Sequence, residues 1–318
     1  MDRTVLCNMF VQTLQKMTLH EFAHLFINEV DAIEDFYKLT NGVKAGNTIS
    51  LLFNPHRLST DTEKDISVYA SLQDEHKLSG LARLYLYNVE HKVNNPFYSA
   101  IQRGYENIQY VNEFPPFVAR QIYDTYIYTK NKNPVILDPC CGWGGRMIGC
   151  ASFPNTTYIG CEPCTETYEG LCKLGEWLKI LQPTFSYKIY KVPFEDAQFD
   201  TQFDFALTSP PYYNTEHYSS EPTNSLNRYT TFESWVDGFY SPLIVKTLSL
   251  LKEQGLFVLN IGDRKYNLSN ALQDICNNNN IFCERINDYL SGNGENKEKF
   301  YLLSRQKINT SIQNIKLF

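Results

Sequence analysis

The chain has 318 residues, a formal net charge of −6 and a composition ordinary for a soluble globular protein. Its length allows one large domain or two smaller ones. The acidic balance excludes a global pull toward nucleic acid, so any such contact needs a local basic patch. Nine cysteines, an odd number at irregular spacing, argue against a disulfide framework and for reduced thiols. No apolar run approaches the about 20 residues that cross a bilayer, and MDRTVLCNMF lacks the apolar core of a signal peptide. The expectation is a soluble, cytoplasmic protein without a membrane partner.

Residues 1–106 are expected to be mainly helical. In MTLHEFAHLFINEVDAIEDFYKLT, Leu19, Phe22, Phe26, Val30, Ile33 and Phe36 recur near one helical face. The glycines and asparagines of NGVKAGN (41–47) predict a loop, and 62–91 predicts further helix ending near NNP.

From Pro134 the pattern becomes short apolar strands alternating with helices. VILD (135–138) is the first strand, with a glycine loop and a helix from about Gly144. YIGCE (158–162) is the second, with a helix near 165–181, and YKIYKV (187–192) the third. FDFALT (203–208) is the fourth, before a helix from about Phe232 to Leu251. GLFVLNIG (255–262) is the fifth, with a helix near 268–277. IFCERINDYL and KFYLLSRQ follow without an intervening helix and read as an antiparallel pair at the sheet edge, and NNNN (277–280) reads as a turn. Such alternation predicts an α/β fold with a mostly parallel sheet and an antiparallel C-terminal hairpin.

Ligands of a parallel sheet bind beyond the carboxyl ends of its strands. There DPCCGWGGR (138–146) follows the first strand, and Gly142, Gly144 and Gly145 let backbone approach a ligand closely. Asp138 leads the loop, and a carboxylate suits a cationic ligand better than a pyrophosphate. Glu162, ending the second strand, is placed to accept both hydroxyls of a ribose. Glu195 or Asp196, in FEDAQF after the third strand, is placed to accept from an adenine amino group; a solvated loop is the competing reading.

TSPPYYN (208–214) leaves the fourth strand through two prolines, which end the strand and stiffen its exit. If the second ligand is a planar base with an amino group, the Ser209 hydroxyl and the Pro210 carbonyl can draw its hydrogens out of plane and localise the nitrogen lone pair. Tyr212 can stack on the ring. A base inside a duplex is out of reach and has to be flipped out.

Together these stretches resemble the S-adenosylmethionine-dependent amino methyltransferases of DNA. DPCCGWGG matches their D-P-[F/C]-x-G-x-G cofactor loop, and SPPY (Ser209, Pro210, Pro211, Tyr212) their [D/N/S]-P-P-[Y/F/W] catalytic tetrapeptide. NEFPPFVARQI (112–122) resembles the segment that closes over the methionine end of the cofactor, and the motif order is that of the gamma group. The resemblance covers about residues 107–306. It implies a Rossmann-like seven-stranded methyltransferase sheet preceded by a helical region (1–106), and followed by a tail (307–318). It implies S-adenosyl-L-methionine held by Phe114, Pro115, Asp138, Pro139, Cys140, Gly142, Gly144, Glu162, Pro163, Glu195 and Asp196. It further implies methyl transfer to the amino group of cytosine or adenine in DNA, in the cytoplasm of a bacterium or phage-infected cell. The oligomeric state stays open.

Two departures stand out. Only NTEHYSSEPTNSLNRYTT (214–231) follows the tetrapeptide, so target reading falls to that loop and to residues 1–106, as a DNA or partner contact. The tetrapeptide begins with Ser, commoner with cytosine, rather than Asp or Asn, commoner with adenine. The alternatives are amino methylation of RNA or of a protein glutamine, or a non-catalytic DNA-binding subunit that kept the fold. Arg228, Arg264 and Lys265 are candidate phosphate contacts, as are Lys297, Lys299, Arg305, Lys307 and Lys316 in the C-terminal stretch, with surface charge the competing reading.

Three rival patterns lose. His20-Glu21-Phe22-Ala23-His24 matches H-E-x-x-H, but no third ligand motif follows. Cys140, Cys141, Cys161 and Cys164 invite a zinc site, yet suit better as small apolar pocket lining. Pro139-Cys140 and Pro163-Cys164 resemble the Pro-Cys nucleophile of carbon-5 cytosine methylation, which belongs after the fourth strand, not the first and second. No metal is expected.

Overall fold

The computed structural model describes residues 3–60, 67–93, 96–104, 111, 113–214, 218–263, 265–290 and 297–307. They form two compact units, Met1–Glu34 with Thr48–Asn112 and Glu216–Tyr218, and Asp35–Asn47 with Glu113–Thr215 and Ser219–Phe318. Asp35–Asn47 falls in the second unit because Arg120 donates Nε to the Leu39 carbonyl at 2.7 Å and Nη2 to that of Thr40 at 3.1 Å. These are carbonyls of a helix end, which otherwise lack partners. Phe36 also meets Trp177 edge to face.

The N-terminal helices are α1 (Arg3–Lys16), α2 (Leu19–His24), α3 (Glu29–Thr40), α4 (Glu75–Glu90) and α5 (Pro96–Gly104). The apolar period over 17–40 belongs to two helices rather than one. Thr18 and Glu21 close a capping box that starts α2, and Asn28 Oδ1 accepts from the Asp31 amide at 2.9 Å to start α3. Restarting the helix turns Val30 outward, 72% exposed, while Phe22 and Phe36 stay fully buried. Inside the first unit Phe22, Phe26 and Phe97 meet edge to face.

The second unit carries α6 (Pro116–Tyr123), β1 (Val135–Asp138), α7 (Gly145–Ala151), β2 (Thr157–Cys161), α8 (Thr165–Leu181), β3 (Ser186–Tyr190) and β4 (Phe203–Thr208). After these come α9 (Ser225–Arg228), α10 (Phe232–Trp235), α11 (Ser241–Leu250), β5 (Leu251–Gly262), α12 (Leu268–Asn278), β6 (Phe282–Leu290) and β7 (Lys297–Ser304). The strands form one seven-stranded sheet in the order β3-β2-β1-β4-β5-β7-β6. β1 to β5 run parallel, and β7 lies antiparallel between β5 and β6. This is the Rossmann-like sheet, with the antiparallel hairpin at its edge, that the sequence predicts.

The central strands are apolar on both faces. Ile136, Leu137, Phe205, Ala206, Leu207, Phe257, Val258 and Leu259 are all at most 1% exposed, as expected of parallel strands covered on both sides. Chain order reverses between β1 and β4, so the crevice beyond their carboxyl ends is where such a sheet takes a ligand. The helix expected over 232–251 is interrupted by one wide turn at Val236–Tyr240, and β5 starts earlier than expected, at Leu251. NNNN is half helix. Asn277 and Asn278 end α12, and the turn comes at Asn280, where φ is +54°.

Candidate functional site

At the end of β1 the Asp138 side chain is wholly buried and receives four donors. Oδ1 accepts from Thr208 Oγ1 at 2.7 Å and from the Cys140 amide at 3.2 Å. Oδ2 accepts from Arg146 Nε at 2.7 Å and from the Tyr158 hydroxyl at 2.5 Å. The guanidinium also donates Nη2 to the Cys140 carbonyl. Burial works against the Arg146 charge, but Asp138 outweighs it and the guanidinium stays ionised. Where the sequence led us to expect a cationic ligand, the structure sets protein donors around Asp138. Its charge is answered within the protein, and its task is to hold the loop 138–146 to β2, β4 and α7.

The loop it holds runs through left-handed backbone at Gly142 (φ +54°) and Gly144 (φ +100°), a region that favours glycine. A Cβ at Gly144 would stand 2.5 Å from Leu174 Cδ2 on α8, so this turn packs directly against the helix after β2. A Cβ at Gly145 would stand 2.0 Å from the Phe114 carbonyl, which fixes the expected closing segment against the start of α7. Phe114 lies 5.2 Å from the Arg146 guanidinium, ring face toward it, and Pro115 is the N-cap residue of α6. The structure thus brings Phe114, Pro115, Pro139, Cys140, Gly142 and Gly144 to one place.

Glu162 follows β2 directly. Its amide donates to the Tyr190 carbonyl, and its Oε1 accepts from the Cys164 amide at 2.9 Å, across Pro163. Burial pushes its carboxyl up to about 8, against the pull of the Cys164 and Gly142 amides. After β3, Lys246 of α11 reaches up and donates Nζ to the carbonyls of Phe194, Glu195 and Ala197, fixing that turn.

Glu195 and Asp196 then differ. The Glu195 side chain is 8% exposed and the Asp196 side chain 49%. Arg228 donates to both, so it is an internal ion-pair partner and not the phosphate contact expected. Glu195 Oε2 remains buried without a hydrogen-bond partner among the described residues. An orphaned buried acceptor calls for a donor, and burial raises the carboxyl's pKa.

At the end of β4 the two tyrosines part company. Tyr213 takes φ +54° and turns inward, 7% exposed, edge to face with Phe232, Trp235 and Tyr266. Its hydroxyl donates to the Thr230 carbonyl at 3.1 Å. Ser209 and Tyr212 stay half-buried, and both hydroxyls donate to Oδ1 of the wholly buried Asn260 on β5 at 3.0 Å. They lie 3.1 Å from each other. Pro210 is buried and Pro211 half-buried between them.

Other expected contacts resolve differently. Lys299 is paired with Asp263, while the exposed Arg305 donates Nη2 to the carbonyls of Leu251 and Lys252, which position it without a counter-charge. Lys307 is exposed, and Lys265 lies against the Tyr266 ring. Arg264, Lys316 and the side chain of Lys297 lie outside the described residues. Burial raises the thiols of Cys140, Cys141 and Cys161, which keeps them protonated. In His20-Glu21-Phe22-Ala23-His24, Glu21 serves the cap at Thr18 and His24 Nδ1 bonds the His20 carbonyl. Among the described residues no three His, Cys, Asp or Glu gather as a metal site.

Sequence reasoning missed Arg146, Tyr158, Thr208, Lys246 and Asn260, the residues that position the expected ones. Two carried a readable signal. Arg146 is a charge inside a glycine loop, and Asn260 is an amide in the otherwise apolar run GLFVLNIG, where a buried polar group needs partners.

No protein-family model and no curated protein sequence matches the chain. Solved structures do resemble it. TrmN from Thermus thermophilus is 14% identical over 60% of this chain, with TM-score 0.42. The match spans only 49% of that chain. A human methyltransferase 10 domain containing protein is 12% identical over 62% of this chain and 85% of its own, with TM-score 0.42. Magnesium protoporphyrin IX methyltransferase from Synechocystis PCC 6803, solved with bound SAM, is 12% identical over 59% of this chain and 76% of its own, with TM-score 0.40. At such identity and score these likenesses carry no argument about chemistry, and the fold stands on the chain's own strand order.

Proposed function

We propose that the second unit binds S-adenosyl-L-methionine and transfers its methyl group to the exocyclic amino nitrogen of cytosine or adenine in DNA, on a base flipped out of the duplex. One observation carries this reading. The glycine loop after β1, Glu162 after β2 and the tetrapeptide Ser209–Tyr212 after β4 stand at the carboxyl ends of three adjacent strands.

The residues fit the nucleoside cofactor. Gly142 and Gly144 allow the left-handed turns that bring the loop backbone up to it, Glu162 suits the ribose hydroxyls, and the orphaned Glu195 Oε2 suits an adenine amino group. Glu195 is the better candidate than Asp196, whose side chain is half exposed. Phe114 and Pro115 close the methionine end. Bound there, the cofactor supplies an electrophilic methyl group.

The chain's own residues prepare the acceptor. Ser209 Oγ and the Pro210 carbonyl accept the amino hydrogens, which draws them out of the ring plane and frees the nitrogen lone pair. The Tyr212 ring, its hydroxyl tethered to Asn260, offers a fixed stacking face. With nitrogen as nucleophile no cysteine is required, in keeping with thiols held protonated.

The test is incubation with cofactor carrying a labelled methyl group and separate DNA, RNA and protein pools, with calorimetry of cofactor binding alongside. Label in DNA, on base amino nitrogens, is the expected result. Label only in RNA or protein would move the activity to that substrate, and nucleic-acid retention without cofactor binding would mark a non-catalytic subunit.

A further inference from the structure

We propose that Asn260 is a positioning residue that turns Ser209 into a pure hydrogen-bond acceptor toward the substrate, so that the site selects an amino group over a keto oxygen. The inference rests on the amino-methyltransfer reading above.

A serine hydroxyl by itself is ambiguous, one donor and two lone pairs on a freely turning bond. The structure removes the ambiguity from Ser209. Its single proton has two acceptors inside the protein, Asn260 Oδ1 at 3.0 Å and the Tyr212 hydroxyl at 3.1 Å. Whichever takes it, the proton stays within the cluster, and Ser209 presents only lone-pair density outside.

The orientation of the Asn260 amide is itself fixed. Its Nδ2 faces the Lys299 carbonyl on β7 at 3.5 Å. Turning the amide over would set oxygen against oxygen there and bring the NH2 group to the hydroxyls. Asn260 is also wholly buried on a central strand, so no water competes for its oxygen. An amino group of cytosine or adenine therefore meets an acceptor that matches its hydrogens. A keto oxygen at the same place, as in uracil or hypoxanthine, meets lone pair against lone pair, and unpaired buried polar groups discriminate strongly.

The test uses the full chain, labelled cofactor and the pool that the unmodified protein labels. Asn260→Leu frees the Ser209 proton, and kcat should fall about 30-fold with cofactor Kd within about twofold. Asn260→Asp is the sharper variant. As a carboxylate it accepts both hydroxyls and transfer persists. Once protonated it brings a third proton to the cluster and pushes the Ser209 hydrogen outward. Its kcat should therefore drop toward low pH along an acid limb that the unmodified protein lacks.

Thermal melting confirms that each variant is folded. If neither folds, the unmodified chain decides by competition, with single-stranded oligonucleotides whose adenine and cytosine are replaced by hypoxanthine and uracil competing more weakly than the originals. Asn260→Leu at unmodified kcat, Asn260→Asp with the unmodified pH profile, or equal competition by the keto oligonucleotides would overturn the inference alone. An unmodified chain that labels no pool would overturn the parent reading and this one with it.

Discussion

The carboxyl ends of β1 and β4 both carry a hydrogen-bond cluster, yet the two are built differently. At β1 a full charge, Asp138, is paired with a second, Arg146, and each carboxylate oxygen accepts from two donors. At β4 the members are neutral, Ser209, Tyr212 and Asn260, and Ser209 keeps lone-pair density to offer. Thr208 joins them, giving its hydroxyl to Asp138 one residue before Ser209. A closed charged cluster holds its surroundings rigid, because breaking it strands a buried ion. An open neutral cluster can afford a further partner. On the proposed reading, the difference separates scaffolding from chemistry at one end of the sheet.

The largest effect should come from the closed cluster. Arg146→Met leaves Asp138 buried without its counter-ion and should cost about 3–5 kcal/mol of stability, read as a lowered denaturation midpoint with cofactor binding lost. Equal stability would mean that Asp138 is neutralised by other means. At the open cluster Ser209→Ala and Tyr212→Ala should leave the fold and cofactor affinity intact and lower transfer about 100-fold. Loss of cofactor binding ahead of transfer would reverse the division of labour between the two strand ends.

Gly144→Ala should cost about 2 kcal/mol, because φ +100° disfavours a side chain and Leu174 occupies the space. A pH experiment sharpens the cofactor side. Burial raises the Glu162 carboxyl to about 8, so the folded protein keeps a proton that the unfolded chain loses above about 4.5. Its contribution to stability is therefore undiminished at acid pH and falls as pH rises from about 4.5 toward 8. A ligand that prefers the carboxylate must displace that proton. Cofactor binding at pH 7 should release it, seen as buffer-dependent heat in calorimetry, and Glu162→Gln should abolish the release. The smallest effect belongs to Asp196→Ala. Its pair with Arg228 is half exposed, and its loss should change stability by under about 1 kcal/mol.

The fold class and most strand positions were legible because parallel strands between helices are written as short apolar runs. VILD, FDFALT and the helix over 165–181 fall where the pattern places them. The glycine loop and tetrapeptide were legible because their backbone demands residues of few types. What the sequence hid is who satisfies whom. Asp138 looked like a ligand contact because its partners, Thr208, Tyr158 and Arg146, arrive from three different elements. The break before α3 went unseen because Asn28, a cap, sits inside an unbroken apolar period. Arg228, Lys299 and Arg305 looked like surface charge available to phosphate, and each answers a partner brought close only by folding.

The central claim, amino methylation of a base in DNA, is tested most directly by nucleoside mass spectrometry of DNA from cells making the chain, set beside cells making Ser209→Ala. The account predicts N4-methylcytosine or N6-methyladenine with the first and neither above background with the second. Neither base with the first, from a folded protein that binds S-adenosylmethionine, would contradict it, as would equal amounts from both.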